Sequence, residues 1–465
     1  MRFYWLTLAA LMVPAVARAD TQTLAQAWVA AYQSNPSLQA ERASLRATDE
    51  QVSVALSHWR PSIDATASVG KTYQYIPAQK AFGTDNFADT TRGFGVQMTQ
   101  PLFRGFRTVA ETEAAEQQVL AGRAKLSNAE QQLFLDTASA YLGVLRDQAV
   151  VGFQRDNENV LARKLEEVKV RAGAGELTQT DVRQSESRLA RAHVARFQAE
   201  TTLVQDQAAY ARLVGRPAGT LQQPVLTNPP RQLEDLLHLA ETRNPDVLSA
   251  QHAMDEASSE VDLNKGSLLP EINLVGNASR NWGENSTLPG QFDSSQILVQ
   301  MTMPLYRSGA DYARTRAAEQ TVTQRRMELE EARRKAREGA DNAFQSLASA
   351  QSALEADQTE VDAASRALEG VREESKVGTR TTLDVLNAEQ EVLDARVDLA
   401  HVQHDRDLAL LQIRSAVGEL TVDSLKLPVD AYDPKLHYED VRGKLIGFSA
   451  DDERYKAATV RESEQ

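Results

Sequence analysis

QMTQPLFRG at Gln97–Gly105 returns as QMTMPLYRSG at Gln300–Gly309. The repeat is not local. Pro101 and Pro304 are 203 residues apart, and the same offset joins Tyr141 to Phe344, Gly175 to Gly378, Asp181-Val182 to Asp384-Val385 and Gly215 to Gly418. Upstream the offset is 209, joining Asn35-Pro36 to Asn244-Pro245 and Pro61 to Pro270. The chain is therefore a duplication. The offset changes only between Pro61 and Pro101, so one loop is six residues shorter in the second copy. From Pro101 to Gly215 there is no net insertion. Loops tolerate length drift; two rods that must stay in register do not.

Each copy reads helix, strand, strand, long helix, tight turn, return helix. The first copy takes 20–215, with strands at 61–76 and 92–103, a long helix at 106–172, a turn at 173–176 and a return helix at 177–214. The second takes 233–418, with strands at 270–282 and 294–305, a long helix at 309–377 and a return helix at 381–417. The opening helix reads as one piece, Thr21–Ser57, capped by Thr21 or Thr23 and ended by Pro61. The long helix has no proline and spans ~100 Å at 1.5 Å per residue. Val119, Leu126, Leu133 and Ala140 are seven apart, as are Val322, Leu329, Ala336 and Ala343. Val182 and Leu189, with Val385 and Val392, keep that spacing on the return helices. A sustained seven-residue period predicts left-handed supercoiling of packed helices. Glycine at 173, 175 and 378 suits the left-handed turn that closes a helix. The linker 216–232 and the segment 419–465 are expected beside a break at mid-height, with the polar tail from 430 partly on that band and partly without fixed structure.

Between the helices the apolar period falls to two. Ile63, Ala65, Ala67, Val69, Tyr73 and Tyr75 alternate with polar residues, and so do Phe94, Val96, Met98 and Leu102. Ile272, Leu274 and Trp282, then Ile297, Val299, Met301, Met303 and Leu305, repeat the pattern. Ordinary half-buried hairpins look like this; so do membrane barrel strands of about 9–11 residues. The rest of the chain decides for the barrel. Arg2, the apolar run Phe3–Val16 and Ala17-Arg18-Ala19 form a secretory signal expected to be cleaved after Ala19. The chain holds no globular core for the hairpins to cover. The loops 76–89 and 283–293 are rich in Gly, Asn, Asp and Pro. Four strands cannot close a barrel, and an open edge in lipid leaves backbone groups unsatisfied. Copies must pool strands, two giving eight and three giving twelve.

Composition removes other classes. The 465 residues carry a formal charge of −14, which opposes a nucleic-acid surface. Without cysteine there is no disulfide, thiol nucleophile or acylated N-terminal cysteine, so the chain is not a lipoprotein of that kind. Mean hydropathy is −0.44 and no later stretch is long enough for a membrane helix, which says nothing against a barrel. No phosphate loop, nucleophile elbow or metalloprotease motif is present, and no cofactor is implied. His401 and His404, beside Asp405, lack an evident third metal ligand and read as solvated surface, and Glu330 reads as an exposed charge within reach of Arg334.

VGTRTTLDVLNAEQEVLDA at Val377–Ala395, with the two QMT-P-L segments, the Asn-Pro pairs and the duplicated layout, resembles the TolC-like outer membrane efflux protein family from about Leu24 to Leu420. The resemblance implies a mixed fold: an all-α coiled-coil tunnel in the periplasm joined to a transmembrane β-barrel, closed by a homotrimer with twelve strands. It implies a non-enzymatic duct of the cell outer membrane in a Gram-negative bacterium. The duct serves a tripartite efflux pump or a type I secretion system, with a periplasmic adaptor and an inner-membrane pump or ABC transporter as partners. It also implies a gate at the periplasmic tip, where Arg380 bonds to Thr180 and Asp181, and Asp384 forms an acidic ring. The second acidic position of that pattern is Asn387 here and the gating tyrosine is Ser375, so a weaker ring and fewer closing contacts are expected. Gly175, Leu177, Thr178, Gly378, Thr379 and Thr382 map to the turns that meet the adaptor. The competing reading is a periplasmic coiled-coil adaptor or scaffold with a soluble β-domain.

Overall fold

A computed structural model describes residues 22–75, 86–226, 232–283 and 290–447. The signal segment, most of the 76–89 loop, residues 227–231 of the linker, residues 284–289 and the tail beyond 447 lie outside the described residues. The described chain divides into two compact units. One takes residues up to Gln39, Ala129–Ala240 and Arg337–Ala431; the other takes Ala40–Asn128, Glu241–Ala336 and residues from Tyr432 on.

The elements are α1 (Leu24–Ser34), α2 (Pro36–Ser57), β1 (Ser62–Tyr75), β2 (Asn86–Arg104), α3 (Arg107–Gly173), α4 (Gln179–Val214), α5 (Leu233–Arg243), α6 (Pro245–Gly266), β3 (Glu271–Trp282), β4 (Gln291–Thr302), α7 (Ala310–Lys376), α8 (Thr382–Ala416), α9 (Val422–Leu425) and α10 (Pro434–Arg442). The opening helix of each copy is broken, contrary to the single helix expected. Asn35 is extended (φ −70°, ψ 120°), as a residue before proline prefers, and Pro36 starts the next helix. The Asn35 Oδ1 accepts from the Ser37 and Leu38 amides at 2.9 and 3.3 Å. Asn244 repeats the device on Asp246 at 2.9 Å. The recurring Asn-Pro pair is thus a cap and a helix start at one point.

In the second unit the four strands form one antiparallel meander, β1-β2-β3-β4. The register sorts the side chains by face. One face carries the cross-strand row Ile63, Met98, Gly276, Ile297 and the row Ala65, Val96, Ala278, Ser295. The other carries Asp64, Gln97, Asn277, Gln296 and Thr66, Gly95, Ser279, Ser294. The apolar face is bare: Ile63 is 67 % exposed and Ile297 82 %. Strand β2 begins six residues before the expected 92, because pairing with β1 continues through residues that break the alternation. It also contains an irregularity between Pro101 and Phe103, which puts Phe103 rather than Leu102 opposite Ile272. Strand β4 ends at Thr302 instead of 305, just before Pro304, which has no N–H to donate.

Both strand-to-long-helix junctions use two successive left-handed residues, Gly105 and Phe106 (φ 62° and 61°), then Ser308 and Gly309 (φ 52° and 78°). Only one of each pair is glycine, at swapped positions. Gly105 lies against Gly266, backbone to backbone. The tail is more structured than its composition suggests. His437 and Val441 of α10 are buried, and the His437 Nδ1 lies 3.0 Å from the Asp49 Oδ2. Tyr438 donates its hydroxyl to the Glu116 Oε1 at 3.3 Å.

In the first unit, Leu236 of α5, Ala343 and Leu347 of α7, and Ala409, Leu410 and Ile413 of α8 form one apolar cluster. Tyr141 of α3 is fully buried; its hydroxyl lies 2.7 Å from the Gln22 carbonyl and 2.6 Å from the Gln222 carbonyl, and accepts from the Gln222 amide at 3.0 Å. It joins the chain start to the linker, where Gln22 and Leu221 form a parallel bridge. The seven-spaced Leu329, Ala336 and Ala343 are buried, as are Val119, Leu126, Leu133, Val385 and Val392, whereas Ala140 and Val322 are half-buried. Glu330 pairs with Arg333 at 2.8 Å, not with Arg334. No helix among the described residues is long and apolar enough to cross a membrane.

Candidate functional site

All twelve residues expected at the tips lie in the first unit, at the ends of the α3–α4 and α7–α8 hairpins. The two turns are built alike. Gly175 (φ 82°) and Gly378 (φ 83°) take the left-handed conformation that a side chain would strain. The Glu176 amide then reaches back to the Arg171 carbonyl at 3.0 Å, and the Thr379 amide to the Glu374 carbonyl at 3.0 Å, the bond that closes a glycine-ended helix. The Thr379 hydroxyl donates to the same Glu374 carbonyl at 2.8 Å.

The return helices open with capping boxes. The Asp181 Oδ2 accepts from the Thr178 amide and hydroxyl at 2.9 and 2.7 Å, while the Thr178 Oγ1 accepts from the Asp181 amide at 3.2 Å. Thr381 and Asp384 repeat this at 2.9, 2.8 and 3.2 Å. A carboxylate there satisfies free helix-end donors and faces the positive end of the helix dipole. The hydroxyl and amide of Thr178 hold the Asp181 carboxyl below the usual range; the amide and hydroxyl of Thr381 do the same for Asp384.

Arg380 does not meet Thr180 or Asp181 within the chain. Its Nε bonds the Glu374 Oε2 at 2.8 Å, which raises its already high pKa. In the first hairpin, Arg171 pairs with Glu176 at 3.0 Å. Arg171 and Glu374 are equivalent under the repeat, so the two turns are stapled with opposite polarity. Thr180 is exposed, Ser375 half-exposed, and Thr382 buried at the first position of α8. Leu177 packs on Leu165, Val168 and Val182, which fixes the first turn against its helices.

Asn387 is engaged from the other hairpin. Arg188 of α4 donates through Nη2 to the Asn387 Oδ1 at 2.6 Å and through Nη1 to the Leu386 carbonyl at 3.4 Å. Beside this contact Leu161, Ala192 and Leu386 pack together. Arg372 of α7 bonds Glu389 of α8, its Nε at 3.1 Å. The motifs read from the sequence do not include Arg188, Glu374 or Arg372. Arg188 carries one usable signal: it lies seven residues after Asp181, on the same helix face. His404 is taken by its neighbour Asp405 at 2.9 Å, and no cluster of metal-binding residues occurs among the described residues.

The arrangement offers exposed caps, staples and a cross-hairpin tie, with no nucleophile–base pair. The outer membrane efflux protein family profile matches residues 28–216 and 236–419. The chain is similar to the outer membrane efflux protein BepC of Brucella suis, 32% identical over 437 residues, which are 93% of each chain. The outer membrane protein TolC of Vibrio cholerae is 26% identical over 411 residues, 86% of this chain and 91% of that one. In fold it resembles the Campylobacter jejuni CmeC outer membrane channel, with a TM-score of 0.79 at 14% identity, covering 91% of this chain and 90% of that one. With the duplicated hairpins, the four-stranded sheet and a match across both copies, the chain belongs to the outer membrane efflux protein family.

Proposed function

We propose that three copies assemble into an outer-membrane duct of a tripartite efflux pump or a type I secretion system, and that solutes cross it without chemical change. The observation that carries this is the sheet: one face of bare apolar rows, one of polar rows, and two unpaired edges on β1 and β4. In lipid those edges must pair with further copies, and three chains supply twelve strands. The apolar face meets lipid and the polar face lines the pore. The alternative of a periplasmic adaptor falls with the family membership. The leading segment directs export and is cleaved after Ala19, and the absence of cysteine leaves no thiol for lipid attachment.

The tunnel helices hang in the periplasm and end at the hairpin tips. There Gly175, Leu177, Thr178, Gly378 and Thr379 present the surface for a periplasmic adaptor, with Thr382 buried beneath the second turn, and the adaptor couples the duct to an inner-membrane pump. The same tips close the resting pore. Within its own chain Arg380 pairs with Glu374, and its closing bonds to Thr180 and Asp181 are to those residues of a neighbouring copy. Asp384 contributes one carboxylate per chain to the opening, and Asn387 none. The test is Arg380→Ser in planar lipid bilayers, which should raise single-channel conductance. Unchanged conductance removes Arg380 from the closing contacts.

A further inference from the structure

Between α3, α4 and α8 the first unit holds a cavity of about 560 Å³. That is the size of pockets that take small organic ligands. Its wall is unusual for a chain of charge −14: no aspartate or glutamate lines it. Arg188 and Arg191, one helical turn apart, face it together with Gln154, Asn157, Gln184 and Gln390. Neighbouring arginines are neutralised: Arg183 by Glu186, Arg155 by Glu200, and Arg196 by Glu158 and Glu200. Among the described residues Arg188 is held by neutral acceptors, the Asn387 Oδ1 and the Leu386 carbonyl, which orient its guanidinium without cancelling its charge. Arg191 is in no ion pair among the described residues. Leu161, Ala192, Leu386 and Leu393 supply an apolar floor.

We propose that this cavity is a binding site for a small organic carboxylate with an apolar body. The guanidiniums of Arg188 and Arg191 take the carboxylate, a charge-assisted and fork-shaped match. Leu161, Leu386 and Leu393 cover the apolar part. The site does not depend on the gating role of the tips.

The test uses the full chain in lipid nanodiscs and ligand-observed ¹⁹F NMR with 4-fluoromandelate, an aromatic α-hydroxy carboxylate; empty nanodiscs are subtracted. The neutral 4-fluoromandelamide is the paired probe. The carboxylate should bind and the amide should bind at least about tenfold more weakly, as expected for charged against neutral hydrogen bonding. Arg188→Gln/Arg191→Gln should lose at least about tenfold in affinity for the carboxylate. Ser187→Glu keeps both arginines and sets a carboxylate beside them; it should compete internally and give a similar loss. Equal affinity for the two probes overturns the proposal, and so does undiminished carboxylate binding by either variant.

Discussion

Gly266→Ala is the substitution for which the structure supports the sharpest forecast. A Cβ on Gly266 would stand 2.4 Å from the Gly105 carbonyl oxygen and 2.7 Å from the Arg107 Cγ, where ordinary contact begins at 3.4 Å. The shortfall is about 1 Å against backbone, which cannot rotate aside. Gly105 cannot readily yield, because it holds the left-handed turn from β2 into α3. Arg107 is tied as well, its Nη2 lying 2.6 Å from the Glu271 Oε2. Overpacking of this kind costs about 1–3 kcal/mol. Helix propensity favours alanine by about 1 kcal/mol in a helix interior, and by less at Gly266, the last residue of α6. The clash wins, leaving a net loss of about 1–2 kcal/mol at the strand–helix junction. The assay is hydrogen exchange of the Val109 and Ala110 amides, which donate to the Phe106 carbonyl at 3.1 and 3.2 Å, in reconstituted protein, with the yield of folded channel in the outer membrane as a second readout. Exchange should quicken about five- to thirtyfold, tracking the local loss of stability. Gly276→Ala on β3, where nothing lies within 4 Å, is the reference and should leave these amides unchanged. If Gly266→Ala matches that reference in exchange and yield, the backbone-to-backbone packing is not what seats the sheet on its helices.

Tyr141→Phe removes a buried hydroxyl whose pKa burial pushes up to about 12, so it is neutral and bonded at any working pH. The loss should cost about 1–3 kcal/mol and show as faster exchange of the Gln222 amide. At the second strand-to-helix junction, Ser308 holds φ 52°. Ser308→Val should cost about 1–2 kcal/mol, because a β-branched residue resists that conformation, while Ser308→Gly should be close to neutral; thermal unfolding of matched preparations distinguishes them.

The duplication is legible because no insertion interrupts the 203-residue offset, and the long helices because seven-spaced apolar residues run unbroken without proline. The strands are legible as period-two segments, but their ends are not. Backbone pairing carries β2 back to Asn86 through residues with no alternation, and the irregularity near Leu102 reverses the face of the residues beyond it. The Asn35–Pro36 break is visible as a motif yet reads as helix interior; one local rule about the residue before proline outweighs a continuing apolar stripe. At the tips, the glycines and the T-x-x-D boxes can be read from local spacing alone. The Arg188–Asn387 tie cannot, since it joins residues 199 apart on different hairpins. The Arg380–Glu374 staple is hidden for another reason: the family pattern directs Arg380 to a neighbouring helix, whereas its partner within the chain is a glutamate six residues away.

A twelve-stranded duct requires three chains that pool four strands each. Native mass spectrometry of the detergent-extracted protein, with the same preparation reconstituted for conductance, tests this most directly. Three copies per particle and a lipid-inserted conducting pore are predicted. A particle of one or two chains, or a trimer that inserts in no bilayer, would contradict the twelve-stranded duct.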